Sequence, residues 1–274
     1  MPSTSTNTTL RTLDGLNLVG TLVTPEVPTS QAVVLVHGGG VTRDESGFFT
    51  RLAEGLGVVG VASLRFDLRG HGESEGRQED LTLSAILNDI RAAIAHVREA
   101  TGAQSVSLLG ASFAGGITAY FAARGPEKLS RLVLINPLLN YKKRFIDDKP
   151  YWSDDHIDDE AARELVDESY IAHSPTFKLS RPLLNEVFWL QPHTVLGEIT
   201  VPTLIIHGTR DTFIPVGSSR GAASQLQVEH KLVEIEGAQH GIAVHDDPTY
   251  ADPQSQEWQA FTISTIAEWV TAGS

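Results

Sequence analysis

The stretch at residues 106–116, VSLLGASFAGG, constrains the fold more than any other part of the chain. Residues 106–109 read as a short apolar strand. A tight turn follows, with Ser112 at its tip, and a helix is expected to begin near Phe113. Gly110 lies two residues before the serine and Ala114 two after it, with Gly115 and Gly116 next. So sharp a strand-to-helix turn forces the serine into strained backbone, and only small neighbours let strand and helix approach so closely. The strain lifts the hydroxyl clear of the sheet. The new helix then aims its first N–H groups at whatever the serine attacks.

The rest of the chain alternates around this unit. Residues 8–23 read as two strands joined at Asp14-Gly15, a strong hairpin signal. Residues 32–36, AVVLV, form a continuous apolar run, as in a strand buried on both faces of a parallel sheet. That run ends in His37-Gly38-Gly39-Gly40. A helix is expected over 48–56, a strand over 58–66 and a longer helix over 83–99. In the last, Leu83, Ile86, Ile90, Ile94 and Val97 recur at three- and four-residue spacing, and Gly102 lies just past its end. Further strands are expected at 132–135, 202–206 and 231–235. A closing amphipathic helix is expected to carry Trp258, Phe261, Thr265 and Trp269 on its packed face.

This order predicts an α/β protein: an eight-stranded, mostly parallel sheet with helices on both faces and the hairpin as an antiparallel edge. From 138 to 200 the character changes. Acidic residues crowd 147–168, aromatics are frequent and no strand pattern is visible. The expected organisation is a core domain of residues 1–137 and 201–274 with a helical cap insert at 138–200.

A serine hydroxyl is a weak nucleophile at neutral pH. It needs a base within hydrogen-bond reach, and the base needs an orienting carboxylate. The Ser112 turn resembles the nucleophile elbow of the α/β-hydrolase family, G-x-S-x-G, with Ala114 in place of the last glycine. The string His207-Gly208-Thr209-Arg210-Asp211-Thr212-Phe213-Ile214-Pro215 resembles that family's H-G-x-x-D-x-x-I/V-P segment, and Gly237-Ala238-Gln239-His240 its G-x-x-H. The resemblance implies Ser112 as nucleophile, Asp211 as the acid and His240 as the base. His245, five residues on, is the competitor. The same likeness makes His37-Gly38-Gly39-Gly40 the oxyanion loop, with the N–H groups of Gly39 and Phe113 as donors and Gly38 or Gly40 as alternatives to Gly39. Asp67, Arg69 and Ser74 resemble the family's D-x-R-G-x-G-x-S turn and are expected to hold loops, as is His37.

The insert contains Tyr141, Phe145, Trp152, Phe188 and Trp189, which are candidates, with Gly38 and Gly40, for lining a substrate pocket; the alternative is that they simply pack the insert on the core. The insert is too polar for a lipase lid. The oxyanion segment, cap and aromatic insert together resemble feruloyl and cinnamoyl esterases. The implied activity is hydrolysis of carboxylic esters or thioesters of a bulky or aromatic acid. The same triad could serve an amide or a carbon–carbon bond of a diketone, and a non-catalytic binding protein of the same fold is the reading from another class.

Other classes are disfavoured. A net charge of −13 argues against nucleic acid and against anionic membrane surfaces. There is no cysteine, hence no thiolate nucleophile or zinc-thiolate site. His240, His245 and Asp246 lack a metal-ligand spacing. Gly55-Leu56-Gly57-Val58-Val59-Gly60 spells G-x-G-x-x-G, but it ends a helix rather than opening one, so its glycines read as a helix stop and turn. No cofactor or metal is expected. No apolar run is long enough to span a bilayer and no apolar leader opens the chain, so a cytoplasmic protein with a small-molecule ester substrate is expected. Its oligomeric state is left open, a homodimer included.

Overall fold

The structure is a computed structural model and describes residues 2–125 and 127–272. The chain opens with the hairpin β1 (Ser3–Arg11) and β2 (Asn17–Pro25). Then come β3 (Gln31–Val36), α1 (Phe48–Val58), β4 (Ala62–Phe66), α2 (Leu83–Thr101), β5 (Ser105–Ala111), α3 (Ala114–Arg124) and β6 (Leu132–Ile135). The segment after β6 holds β7 (Trp152–Ser153), β8 (His156–Ile157), α4 (Asp159–Asp167), β9 (Tyr170–Ser174), β10 (Phe177–Ser180) and α5 (Arg181–Glu186). The chain returns to the sheet with β11 (Thr203–Gly208), α6 (Gly217–Ala223), β12 (His230–Ile235) and α7 (Pro253–Thr271).

One eight-stranded sheet carries the molecule, in the order β1-β2-β4-β3-β5-β6-β11-β12. The β1–β2 and β2–β4 pairs are antiparallel. Every pairing from β4 through β3, β5, β6 and β11 to β12 is parallel. The winding reverses at β3, which has β4 on one side and β5 on the other. In such sheets, ligands gather outside the carboxyl ends of the strands at that reversal. The central strands are apolar because both faces are covered. Along β3, Val34 and Val36 join the core under α2 and α3, while Val33 and Leu35 join the core under α1 and α7.

Several elements differ from the expectation. The insert is not purely helical: β7–β8 and β9–β10 form two small antiparallel pairs. Strands of two to five residues carry too little alternation to be legible, and the β7–β8 turn is made by Asp154 and Asp155 at φ 48° and 63°, a conformation aspartate tolerates. The strand expected over 58–66 starts only at Ala62, because α1 runs on to Val58 and Gly60, at φ 81°, turns the chain. Gly55 and Gly57 therefore lie inside α1. A Cβ at Gly55 would sit 2.5 Å from Ile263 of α7, so this glycine serves close helix packing.

The packed face of α7 carries part of the expected stripe, with Trp258 and Trp269 half-buried against the core, but not all of it. Ser255, Gln259, Thr262, Ile266 and Val270 are buried with Thr265, whereas Phe261 is exposed. Polar residues occupy that face because the loop before α7 needs donors and acceptors: Ser255 Oγ accepts from Val244 N at 2.9 Å.

Close approach of α3 to β5 and to the insert depends on missing side chains. A Cβ at Gly116 would lie 2.4 Å from the Leu138 carbonyl oxygen. Gly116→Ala is expected to lower stability by roughly 1–3 kcal/mol through overpacking. Gly221, in α6 with open space around its Cα, is the control: Gly221→Ala should hold or raise stability by up to ~1 kcal/mol. Urea unfolding midpoints of the two variants check the contrast.

Candidate active site

Ser112 sits between β5 and α3 at φ 51°, a left-handed conformation that strains a non-glycine residue. Three backbone hydrogen bonds hold it there. Ser112 N donates to Ile135 O at 2.9 Å, and the Ser112 carbonyl accepts from Gly115 N at 3.0 Å and from Leu138 N at 2.9 Å. Tyr141, fully buried, donates its hydroxyl to the Phe113 carbonyl at 2.5 Å. Ala114, where the family pattern has glycine, is fully buried without disturbing the turn.

The loops after β11 and β12 bring two further groups to this point. His240 Nε2 lies 2.9 Å from Ser112 Oγ, and His240 Nδ1 lies 2.7 Å from Asp211 Oδ2. Asp211 is buried. Its Oδ1 accepts from the N–H groups of Phe213 at 2.8 Å and Ile214 at 2.9 Å, so the carboxylate is fixed from its own loop. Burial alone would raise its pKa. The hydrogen bonds with His207 and His240, the His240 charge and the Ile214 amide outweigh it and hold the carboxyl below its ordinary range. The imidazole loop is clamped from α7, where Gln259 donates to the Gly241 carbonyl at 3.0 Å and accepts from Arg51. His245 takes no part: it is exposed and pairs with Asp246 at 3.5 Å.

The glycine loop after β3 crosses the front of Ser112. Gly38 N donates to Glu45 Oε1 at 2.6 Å, and Gly40 N donates to His71 Nε2 at 3.1 Å. Among the described residues the N–H groups of Gly39 and Phe113 have no acceptor. The ambiguity among the three glycines thus narrows to Gly39, since the other two amides are spent on fixing the loop. His37 is buried, with Nδ1 2.7 Å from the Gly38 carbonyl and Nε2 accepting from Leu68 N at 2.9 Å. Burial, and next the nearby His71, lower its pKa to about 3, so it is a neutral strut. Asp67 accepts from Arg43 N at 2.7 Å and from Glu73 N at 3.0 Å. Ser74 Oγ donates to the Asp67 carbonyl at 2.7 Å. Arg69 forks onto buried Asp89 at 2.6 Å and onto Asp14 at 2.8 Å. These residues hold loops and lie outside the cleft.

Glu45 is the site residue that the sequence did not reveal. It stands at φ 45° in a run with Ser46 and Gly47, both also at positive φ, which turns its carboxylate back onto Gly38. Burial raises its pKa, opposed by the Gly38 N–H and the nearby His240. The only signal in the sequence was Asp44-Glu45-Ser46-Gly47, a turn-rich string that reads as an ordinary loop.

Ser112 and His240 open into a cleft of about 300 Å³ walled by core and insert. Gly38, Gly39, Phe113 and Phe145 line it, as do Phe177, His173, Arg144 and Lys149 of the insert. The structure does not bring the other aromatic candidates there. Tyr141 is spent behind Phe113, Trp152 packs on Phe188 at 5.9 Å, and Trp189 is 89% exposed. Gly40 stands under Thr176 and Phe177, where a Cβ would clash, and does not face the cleft. Among the described residues no group of three His, Cys, Asp or Glu side chains is placed to hold a metal ion, and no helix is long and apolar enough to cross a membrane.

Comparison with known proteins agrees with this architecture. A family model described as serine aminopeptidase, S33, matches residues 28–154. A monoacylglycerol lipase of Mycolicibacterium smegmatis is 27% identical over 94% of both chains. Among solved structures, the ferulic-acid complex of Est1E from Butyrivibrio proteoclasticus superposes with a TM-score of 0.76. It is 22% identical and covers 95% of this chain and 99% of its own. A monoacylglycerol lipase of Paleococcus ferrophilus, 24% identical, covers all of both chains with a TM-score of 0.64. The chain has the α/β-hydrolase fold.

Because the Asp211 pKa is depressed in the folded state, its contribution to stability is present above the ordinary carboxylate pKa and is lost as pH falls through the folded value. Asp211→Asn should therefore unfold at a lower denaturant concentration than wild type by a constant margin from pH 8 to about pH 5, with the margin shrinking below that. Chemical denaturation of both proteins across that range checks the sign.

Proposed function

We propose that the chain is a serine hydrolase that cleaves carboxylic esters or thioesters through an acyl-enzyme, with residues 138–200 acting as a cap over a core of residues 1–137 and 201–274. It is a carboxylic ester hydrolase by class, a reading supported by its monoacylglycerol lipase and esterase relatives. The observation that carries the mechanism is the unbroken line from Ser112 Oγ to His240 Nε2 at 2.9 Å and from His240 Nδ1 to Asp211 Oδ2 at 2.7 Å.

Ser112 Oγ attacks the scissile carbonyl while His240 Nε2 takes its proton. Asp211 keeps the Nδ1–H tautomer in place and stabilises the imidazolium. The N–H groups of Gly39 and Phe113 receive the oxyanion, each worth roughly 3 kcal/mol in such sites. The tetrahedral intermediate collapses, His240 gives its proton to the leaving oxygen or sulfur, and the acyl group stays on Ser112. Water, deprotonated by the same imidazole, then releases the acid. Phe113, Phe145 and Phe177 form an apolar wall that fits a bulky or aromatic acyl group, with Phe113–Phe177 ring centroids 4.9 Å apart.

An amide substrate is the second reading, favoured by the name of the matched family model. An aminopeptidase must hold an α-ammonium group. The cationic side chains at this cleft are Arg144 and Lys149, and the Glu45 carboxylate is bound to Gly38, so the charge of the cleft disfavours that reading.

Ser112→Ala should lose at least ~10³-fold in turnover of p-nitrophenyl and cinnamate esters while keeping the wild-type unfolding midpoint. Ordinary turnover in that variant would exclude the mechanism. Glu45→Ala frees the Gly38 amide and should cost roughly 10–100-fold in kcat with little change in KM. Glu45→Gln, which keeps an acceptor oxygen, should retain most of the rate. Steady-state kinetics on one ester series reads all three variants.

A further inference from the structure

Two cations stand at the cleft of this strongly acidic protein. Arg144 and Lys149 line it from the insert beside His173. Neither side chain has a hydrogen bond or ion pair among the described residues. The acids nearest in sequence are otherwise engaged. Asp147 and Asp155 both accept from Lys142 Nζ at 2.7 Å, and Asp148 accepts from Lys143 Nζ at 2.6 Å. Lys149 is partly desolvated; burial and the Arg144 charge press its pKa down, against the opposing charge of Asp148. His173 is lowered to about 4 by burial and by the same two cations, and its Nδ1 is buried with no partner. Two like charges without an ion-pair partner at one partly buried wall repel each other, and an anion placed between them offsets that repulsion.

The position of the cluster says which part of a substrate bears that anion. The leaving group must lie against His240, whose imidazolium protonates it, and the ring packed near His240 is Phe213 at 5.3 Å. His173 packs instead on Phe145 at 5.1 Å and on Phe177 at 6.0 Å, and both rings pack on Phe113. The cations stand close to His173, on the wall formed by Phe145 and Phe177, and an acyl chain running along that wall from Ser112 would end at them.

We propose that the preferred substrates are esters whose acyl portion carries a carboxylate at its far end, bound by Arg144 and Lys149 with His173 beside them. This rests on the serine-hydrolase reading for its chemistry but not for its binding. An apolar or aromatic spacer would run along Phe113, Phe145 and Phe177, and the carboxylate would end at the cations. A planar guanidinium beside an ammonium suits a carboxylate well. With a net charge of −13, the protein's overall field repels anions, so selectivity for one has to come from such a local pair.

The test compares methyl 4-carboxycinnamate with methyl cinnamate, and p-nitrophenyl hydrogen adipate with p-nitrophenyl hexanoate. In wild type, at least one carboxylate ester should exceed its neutral partner in kcat/KM by roughly 10-fold or more. Arg144→Gln/Lys149→Gln should erase that preference, with its unfolding midpoint certifying the fold; Arg144→Lys should keep most of it. Binding is read separately by calorimetry on Ser112→Ala, with 4-carboxycinnamate monomethyl ester as the probe. Tight binding that is lost in the Gln/Gln background supports the proposal even if no ester turns over, in which case only the hydrolase reading has failed. Equal kcat/KM for both members of each pair, or probe binding unchanged by the two substitutions, would overturn it.

Discussion

The strained backbone of Ser112 is the constraint from which the rest of the site follows. A left-handed non-glycine residue costs on the order of 1–3 kcal/mol and persists only where its surroundings leave no alternative. Here the end of β6 holds Ser112 N, and the first residues of the insert hold its carbonyl through Leu138. Tyr141, three residues further on, braces the Phe113 carbonyl. The insert therefore has two tasks. It lines the cleft, and its root locks the Ser112 turn. Gly110 and Gly116 complete the arrangement, since a Cβ on either would strike Thr118 or the Leu138 carbonyl.

Around that point, the polar loops are held to one another by hydrogen bonds. His37 joins the glycine loop to the loop after β4 through Leu68 N, and His71 returns the contact through Gly40 N. Glu45 takes the Gly38 amide. The Gly38 and Gly40 bonds each occupy one N–H of the glycine loop, and among the described residues those of Gly39 and Phe113 have no acceptor. In the proposed mechanism the oxyanion donors are selected by this elimination as much as by direct placement, an arrangement that would cost no reorganisation when charge develops.

Much of this was legible in the sequence, and the parts that were not share a physical cause. Short apolar runs bounded by glycine gave the parallel strands, because burial on both faces leaves little freedom in composition. Ser112, Asp211 and His240 were readable because each sits at a strand end in a string whose spacing is set by the turn it must make. The Gly38, Gly39 and Gly40 ambiguity could not be resolved in one dimension, since all three are equally small and only their partners differ. Glu45 was hidden because its role depends on three consecutive positive φ values, which leave no mark beyond a polar turn. On α7, Gln259 and Ser255 take fully buried positions where they hydrogen-bond the loop of His240, while Trp258 and Trp269 pack half-buried against the core and Phe261 turns to solvent. The aromatics of the insert were over-read for the opposite reason. Size and apolarity are the same whether a ring braces the turn, as Tyr141 does, packs on another ring, as Trp152 does, or stands in water, as Trp189 does.

The insert also links recognition to the reactive turn through one short element. Residues Lys143–Asp147 form a single widened π turn, a feature that is rare in helices and frequent at functional sites. Within it, Phe145 faces inward, stacked on Tyr141 at 5.9 Å and near Phe113, while its neighbour Arg144 reaches the cleft wall. An extra residue in a helical turn changes which side chains share a face. Here it places an apolar brace and a cation next to each other on the same wall. The ring that supports the residue after the nucleophile and the charge that would receive a distal anion are thus consecutive in the chain. A substrate group drawing on Arg144 would act on an element already packed against the Ser112 turn through Phe145 and Tyr141. Binding energy from that remote contact could then be used to fix the acyl group over the serine, which is where remote binding energy raises rate and not only affinity.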